Sequence, residues 1–183
     1  MSTTIEKILH ELESRGRVPF TPLYIVSEEI LKDNIDAMNR AFFSRFDRFI
    51  LGYSYKTNYA KDVLRMVHQE GGYAEVVSPM ELAHARTFVD DSKIIYTGVI
   101  RDVVGKVELA AHGGIVNVEN LTELRDLDAH ADLMGLDIQV GIRVNLRLSG
   151  AEFSRFGIEV NTNTLEELSS LKHIEITGIH CHI

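Results

Sequence analysis

The sequence predicts an α/β fold of the (β/α)8 barrel type, represented by about six βα units. Three observations predict it. Apolar, strand-like runs alternate with helical patterns from residue 49 onward, at 49–56, 73–78, 93–98, 115–120, 137–145 and 174–183. The first five units start about twenty to twenty-four residues apart, the spacing of a βα repeat and hence of parallel strands. The runs also have two unlike faces. In 137–145, Ile138, Val140, Ile142 and Val144 oppose Gln139, Gly141, Arg143 and Asn145. In 115–120, Val116 and Val118 oppose Asn117 and Glu119; in 174–183, Ile179, Cys181 and Ile183 oppose Gly178, His180 and His182. An open sheet covered on both sides would be apolar on both faces. A barrel with a ligand in its mouth has one greasy face under its helices and functional groups at the C-terminal strand ends.

The elements follow in order. Residues 1–48 read as an N-terminal helix, an extended segment and a lead-in helix: Ile5–Ser14 is amphipathic, and Pro19–Ser27 is extended because each proline pushes its predecessor out of helix. Ser27 then caps a helix over Glu28–Phe43, with Glu28, Glu29 and Asp33 near its positive end. Residues 49–183 form the barrel portion. Between its strands lie the amphipathic stretches Lys61–Gln69, Pro79–Val89, Arg101–His112 and Leu121–Met134. An insertion, Leu146–Ser154, delays the sixth unit, followed by a short run at Phe156–Val160 and a helix near Thr164–Leu171. A full barrel has eight strands and about 250 residues. A chain of 183 residues that stops on an apolar strand therefore reads as the N-terminal part of a longer protein, truncated after strand six, with Ile179, Cys181 and Ile183 facing water at an unpaired edge.

Composition narrows the class. With 45% hydrophobic and 25% charged residues, the chain has the make-up of a soluble globular protein. A formal net charge of −8 argues against nucleic acid or an anionic membrane as the main partner. No apolar stretch is long enough to span a bilayer and the N-terminus is charged, which favours the cytoplasm. One cysteine, Cys181, rules out an internal disulfide and any cysteine-rich zinc site.

Chemistry concentrates at Lys56, which ends the run Phe49-Ile-Leu-Gly-Tyr-Ser-Tyr-Lys56. With period two, Lys56 shares a face with Gly52 and Ser54, opposite Phe49, Leu51, Tyr53 and Tyr55. A lysine on a crowded inner strand face suits a Schiff base to a carbonyl, because burial disfavours the ammonium and makes the amine nucleophilic. Lys56, Glu75, Glu119, Arg143 and His182 all fall near C-terminal strand ends and converge on one barrel mouth. An amine, two carboxylates, a guanidinium and an imidazole suit a phosphorylated carbonyl cofactor or substrate, and equally several aldolases; spacing alone leaves both open. His180 and His182 are two apart, but no third ligand lies near, so no metal is expected and His180 reads as a packed core residue. Cys181 reads as a small core residue facing the helices. His68 and His84, like the chain's other histidines, fall in helical or loop patterns where exposure is the default. Glu119 either satisfies donors at a strand end or lines the mouth, and Arg143 could pair with Glu75 or Glu119.

Six motifs in order resemble those of the pyridoxal-phosphate-dependent decarboxylases of the alanine-racemase fold, diaminopimelate decarboxylases above all. They are Tyr53-Ser-Tyr-Lys-Thr-Asn58, Ala74-Glu-Val-Val-Ser-Pro-Met-Glu-Leu82, Val116-Asn-Val-Glu119, Gly141-Ile-Arg-Val-Asn145, Ser154-Arg-Phe-Gly-Ile158 and Thr177-Gly-Ile-His-Cys-His-Ile183. The resemblance implies pyridoxal 5'-phosphate as cofactor, decarboxylation of an amino acid, and a homodimer with shared active sites. It implies that Lys56 holds the cofactor covalently and returns a proton to the product, and that His182 stacks on the cofactor ring. Glu75 and Arg143 would line the cofactor pocket, and residues 23–26 would belong to a second, β-rich domain missing from this chain. Alanine racemases of the same fold share the lysine, and a non-catalytic regulatory relative would keep only the scaffold. Departures from the family pattern are a shorter insertion after Arg143-Val-Asn145, Pro79-Met80 in place of a common glycine pair, and Glu75 in place of aspartate. The family's glycine-rich phosphate loop, its acid for the pyridine nitrogen and its substrate-binding cysteine segment have no counterpart up to residue 183. The isolated chain is accordingly expected to be inactive.

Overall fold

A computed structural model describes residues 4–17, 22, 24–146 and 154–182. Helices α1 (Thr4–Ser14) and α2 (Glu28–Phe43) precede six βα-ordered strands: β1 (Gly52–Ser54), β2 (Tyr73–Val76), β3 (Ile94–Tyr96), β4 (Ile115–Val118), β5 (Ile138–Arg143) and β6 (Ile174–His180). The intervening helices are α3 (Lys61–Gln69), α4 (Pro79–Ala85), α5 (Val103–Ala111), α6 (Leu121–Met134) and α7 (Thr162–Ser170). Every strand pairs in parallel with its sequence neighbour, giving the order β1-β2-β3-β4-β5-β6. This is the strand order of a (β/α)8 barrel wall, the fold class that the sequence predicts.

The strands are shorter than the apolar runs. The first spans Gly52–Ser54 rather than 49–56, because Tyr55–Thr57 already turn, with the Thr57 amide donating to the Ser54 carbonyl. Helix α4 stops at Ala85 instead of Val89. Residues 147–153 of the insertion and most of Pro19–Leu23 lie outside the described residues.

The outer strand faces make the core. Ala74, Val76, Ile94, Tyr96, Val116, Val118, Ile138 and Val140 pack against Leu64, Leu82, Val107, Leu109, Leu124 and Leu127 of the helices. Such burial of aliphatic side chains stabilises the fold by about 1.5–3 kcal/mol each. A smaller cluster joins Ile35 of α2 to Val63 and Val67 of α3, with Leu51 and Tyr53 against it, so α2 seats beside β1. Phe42 of α2 also stacks on Phe49, ring centroids 4.3 Å apart.

One irregularity aims the last strand. Val140 pairs with Ile176 but Gly141 pairs with Gly178, so Thr177 is an extra residue and β6 is bulged. The bulge switches the phase of the side-chain alternation. Ile174 and Ile176 pack on the helix-side core, and beyond the bulge His180 lies beside Arg143 at the cavity while Ile179 is 75% exposed. The break is visible in the sequence, where apolar residues 174 and 176 are followed by 179 rather than 178.

Candidate functional site

Helix N-termini crowd the C-terminal ends of the strands, and side chains cap them. Ser78 Oγ accepts from the Glu81 amide, Asn120 Oδ1 from the Glu123 amide, and Asp102 and Asn161 do the same for α5 and α7. The caps at Ser78, Asp102 and Asn120 fix where the helices after β2, β3 and β4 begin, and so bound the turns at those strand ends. Lys56 follows β1, Val77 follows β2, Gly98 follows β3, Glu119 follows β4, Arg143 ends β5 and His182 follows β6.

Two adjoining cavities of about 540 and 370 Å³ open there and share Lys56, Val77, Gly98, Arg143 and His182. Both volumes fall in the range of small-molecule sites, about 300–1,000 Å³. Val99, Ile100 and Phe156 give the larger one an apolar wall; Glu75, Thr97, Asn117 and His180 make the smaller one polar. Lys56, Glu75, Arg143 and His182 thus line one continuous space.

Their surroundings differ. Arg143 Nη1 donates to both carboxylate oxygens of Glu119, at 3.0 and 2.9 Å, in a pair 13% and 7% exposed. The Gly157 amide donates to Glu119 Oε1 at 3.1 Å, so Glu119 also pins the segment after the insertion. Arg143 therefore pairs with Glu119 and not with Glu75, and Glu119 is a buried anchor behind the mouth. The guanidinium lies 5.1 Å from the Phe156 ring centroid and contacts His182 Nδ1 at 3.4 Å. A guanidinium has only donors, so Nδ1 of His182 accepts and its proton sits on Nε2. The Lys56 and Glu75 side chains make no hydrogen bond or ion pair among the described residues.

Four sequence expectations are corrected. Lys56 is not on a crowded inner strand face: it sits in the turn after β1 and is exposed, so burial does not activate its amine in this structure. Position 55 is the buried one; the Tyr55 ring is enclosed, and its hydroxyl bonds to His68 Nε2 at 2.8 Å. His68 is consequently half-buried rather than solvent-exposed, with Nδ1 donating to the Gly72 carbonyl at 2.8 Å. His180 is not a packed core residue but half-buried at the cavity, its Nδ1 enclosed with no partner among the described residues. Burial lowers the His180 pKa first, and the charges of Arg143 and His182 add to that, against Glu119. Cys181 faces the mouth, exposed, instead of the helices.

Sequence reasoning sets Asn117 and Gly141 on the polar strand faces but does not single out either of them, or Thr97, as a site residue. Asn117 Nδ2 bonds to Thr97 Oγ1 at 3.3 Å, and its Oδ1 lies 2.4 Å from where a Cβ on Gly141 would sit. Any side chain at 141 would displace Asn117 from the cavity wall. The same alternation, extended to 93–98, adds Thr97 to that face. The residues present fit pyridoxal phosphate: an unpaired amine and carboxylate, an anchored guanidinium, an imidazole beside it, and orphaned polar atoms at Ser54 Oγ and His180 Nδ1. Among the described residues no group of three or more His, Cys, Asp or Glu side chains could hold a metal ion, and no helix is long and apolar enough to cross a membrane.

Comparison with known proteins gives the family of the chain. Residues 32–183 match the family described as pyridoxal-dependent decarboxylase, pyridoxal binding domain. A diaminopimelate decarboxylase from Aquifex aeolicus is 29% identical over 181 residues, covering 89% of this chain and 41% of the relative. One from Methanocaldococcus jannaschii is 28% identical over 185 residues, covering 89% of this chain and 42% of the relative. The crystal structure of diaminopimelate decarboxylase from M. jannaschii in complex with L-lysine superposes with a TM-score of 0.76 at 25% identity, covering 96% of this chain and 44% of that one. A lysine/ornithine decarboxylase from Vibrio vulnificus shares the fold with a TM-score of 0.73 at 21% identity, over 100% of this chain and 47% of that one. The chain spans about two fifths of the length of the curated relatives it matches.

Proposed function

As the chain belongs to the pyridoxal-dependent decarboxylases, whose pyridoxal-binding domain it carries, we propose that it is the cofactor-binding portion of an amino-acid decarboxylase of the diaminopimelate type. The observation that carries the reading is the convergence of Lys56, Glu75, Arg143 and His182 on one cavity, with the Lys56 and Glu75 side chains free of protein partners among the described residues. We read the complete protein as a homodimeric cytoplasmic enzyme of amino-acid biosynthesis that shares its sites between subunits, and residues 1–48 as a lead-in to the barrel portion at 49–183.

When bound, pyridoxal phosphate supplies an electron sink for the carbanion left by loss of CO₂. The chain supplies position and charge. Lys56 Nζ, exposed at the mouth, is the nucleophile available to an aldehyde and later the proton carrier. Glu119 locks Arg143 in one rotamer, so the guanidinium meets the ligand without a further entropic cost. Arg143 in turn orients His182 as a flat surface at the edge of the cavity. Val99, Ile100 and Phe156 exclude water from one side, which strengthens every charge interaction within.

Borohydride reduction in the presence of pyridoxal phosphate, followed by peptide mapping, tests the reading. Label is expected on Lys56 in the complete protein and none after Lys56→Ala. Absence of label on Lys56 in the complete protein overturns it. CO₂ release measured against racemisation then separates decarboxylase from racemase, and loss of both activities marks a regulatory relative.

A further inference from the structure

Lys106 is a lysine where helix geometry alone would put leucine. It faces the core from the middle of α5, between Val107 and Gly105, and it is 0% exposed. A buried ammonium is expensive unless each proton finds a partner. Lys106 Nζ pairs with Glu123 Oε1, donates to the Gly98 carbonyl at 3.3 Å, and lies 4.9 Å from the Tyr96 ring centroid. Glu123 is itself buried on α6, and its second oxygen accepts from the Glu119 backbone amide at 2.9 Å. This pair therefore grips the backbone at two points, Gly98 after β3 and Glu119 after β4. Both belong to the mouth: Gly98 lines both cavities, and Glu119 holds Arg143 and the Gly157 amide.

Of the two gripped positions, Gly98 has the backbone conformation that needs holding. Gly98 has φ +136°, a conformation that L side chains rarely adopt, and a Cβ there would lie 3.1 Å from Val77 Cβ. Its carbonyl would otherwise be free to rotate with the turn. A pair of apolar residues would fill the same space between α5 and α6 with no desolvation cost, yet would hold neither backbone group.

We propose that Lys106 and Glu123 are positioning residues that clamp the Gly98 and Glu119 turns and so set the shape of the pyridoxal-phosphate pocket. The clamp acts on the ligand only through Gly98, Arg143 and the Phe156–Gly157 segment. It rests on the cofactor reading above for its function and on the backbone contacts for its structure.

The test uses the complete protein, the double variant Lys106→Leu/Glu123→Leu, and Lys106→Met. Thermal unfolding of the double variant should stay close to wild type, since an apolar pair replaces an ionic one. Two readouts should nonetheless move. Pyridoxal phosphate capture at Lys56, titrated by borohydride trapping, should weaken about tenfold or more, and hydrogen exchange at the untouched amides of Val99 and Gly157 should accelerate by a similar factor. Capture at wild-type affinity in the double variant overturns the proposal, whatever the exchange rates do. If the double variant fails to fold, Lys106→Met decides: weakened capture with faster exchange at Val99 supports the clamp, and wild-type capture overturns it. If wild type itself never labels at Lys56, the cofactor reading falls separately. Exchange at Val99 in Lys106→Met then decides the clamp alone, and an unchanged rate overturns it.

Discussion

The turn after β2 and the turn after β4 are built on the same local device, and they end in different physical states. In the first, Ser78 caps α4 through the Glu81 amide, and Glu81 Oε2 reaches back to the Val77 amide at 2.8 Å. In the second, Asn120 caps α6 through the Glu123 amide, and Glu123 Oε2 reaches back to the Glu119 amide at 2.9 Å. Both are variants of the capping box, with the carboxylate bonding one residue before the cap. Both carboxylates are buried in the first turn of their helices. The second alone, among the described residues, carries a lysine on its remaining oxygen. A capping glutamate without such a partner is a local feature, whereas one tied to Lys106 joins two helices and two pocket turns. Motif identity therefore says where a helix begins, and a partner 17 residues away decides what the motif does.

The largest expected effect breaks this comparison directly. Glu123→Leu strands Lys106 as an uncompensated buried charge, which costs about 3–5 kcal/mol. Glu81→Leu removes one backbone acceptor and half of a capping box, a loss of about 1–2 kcal/mol. Urea unfolding of the two single variants should show a difference of at least about twofold in lost stability. Equal losses would mean that the lysine adds nothing to the second turn.

How much of this was legible follows from the range of each interaction. Helices α2, α3 and α6 fall within the bounds that periodicity predicts, because caps at Ser27 and Asn120 and the left-handed Gly135 (φ +64°) are short-range signals. Strand order follows from the βα spacing, and the convergence of Lys56, Glu75, Arg143 and His182 follows from strand order. The exposure of Lys56 was not legible, since alternation assumes that a strand persists, and pairing with β2 stops at Ser54. Cys181 failed for the same reason: β6 ends at His180. Lys106 was invisible because a lysine in an amphipathic pattern reads as surface, and its partner sits on another helix. The Glu119–Arg143 pair was one of two open choices; the register placing Asn117 opposite Gly141 brings Glu119 and Arg143 level, and so decides it.

A smaller effect sharpens the contrast from the pocket side. Gly98→Ala forces an L side chain into φ +136° and against Val77, whose amide Glu81 holds, without touching the capping box at Asn120. Backbone strain of this kind costs about 1–3 kcal/mol. If the clamp holds the turn rigid, the strain cannot relax in wild type and the full loss appears in urea unfolding. In the Lys106→Leu/Glu123→Leu background the turn can shift, and the same substitution should cost measurably less. A cost identical in both backgrounds would show that Gly98 does not feel the clamp.

The smallest effect concerns the third turn, after β1, which is held by neutral groups. Tyr55 donates to His68 Nε2 while His68 Nδ1 donates to Gly72, an arrangement that needs neutral imidazole. Burial pushes the Tyr55 hydroxyl up to about 12 and lowers His68 from 6.5, with the Lys93 charge lowering it further against the Gly72 bond. His84 and Phe88 pack beside the same rings. A depressed histidine pKa stabilises the fold above the unfolded value and loses that contribution as pH falls below it. Stability should therefore decline as pH falls below about 6.5, with a slope of at most about 1.4 kcal/mol per pH unit from this group. Burial lowers His180 as well, so it contributes with the same sign, and the difference between wild type and His68→Phe isolates the Tyr55 turn. A His68→Phe protein whose acid slope equals that of wild type would mean that the turn carrying Lys56 is held by packing alone.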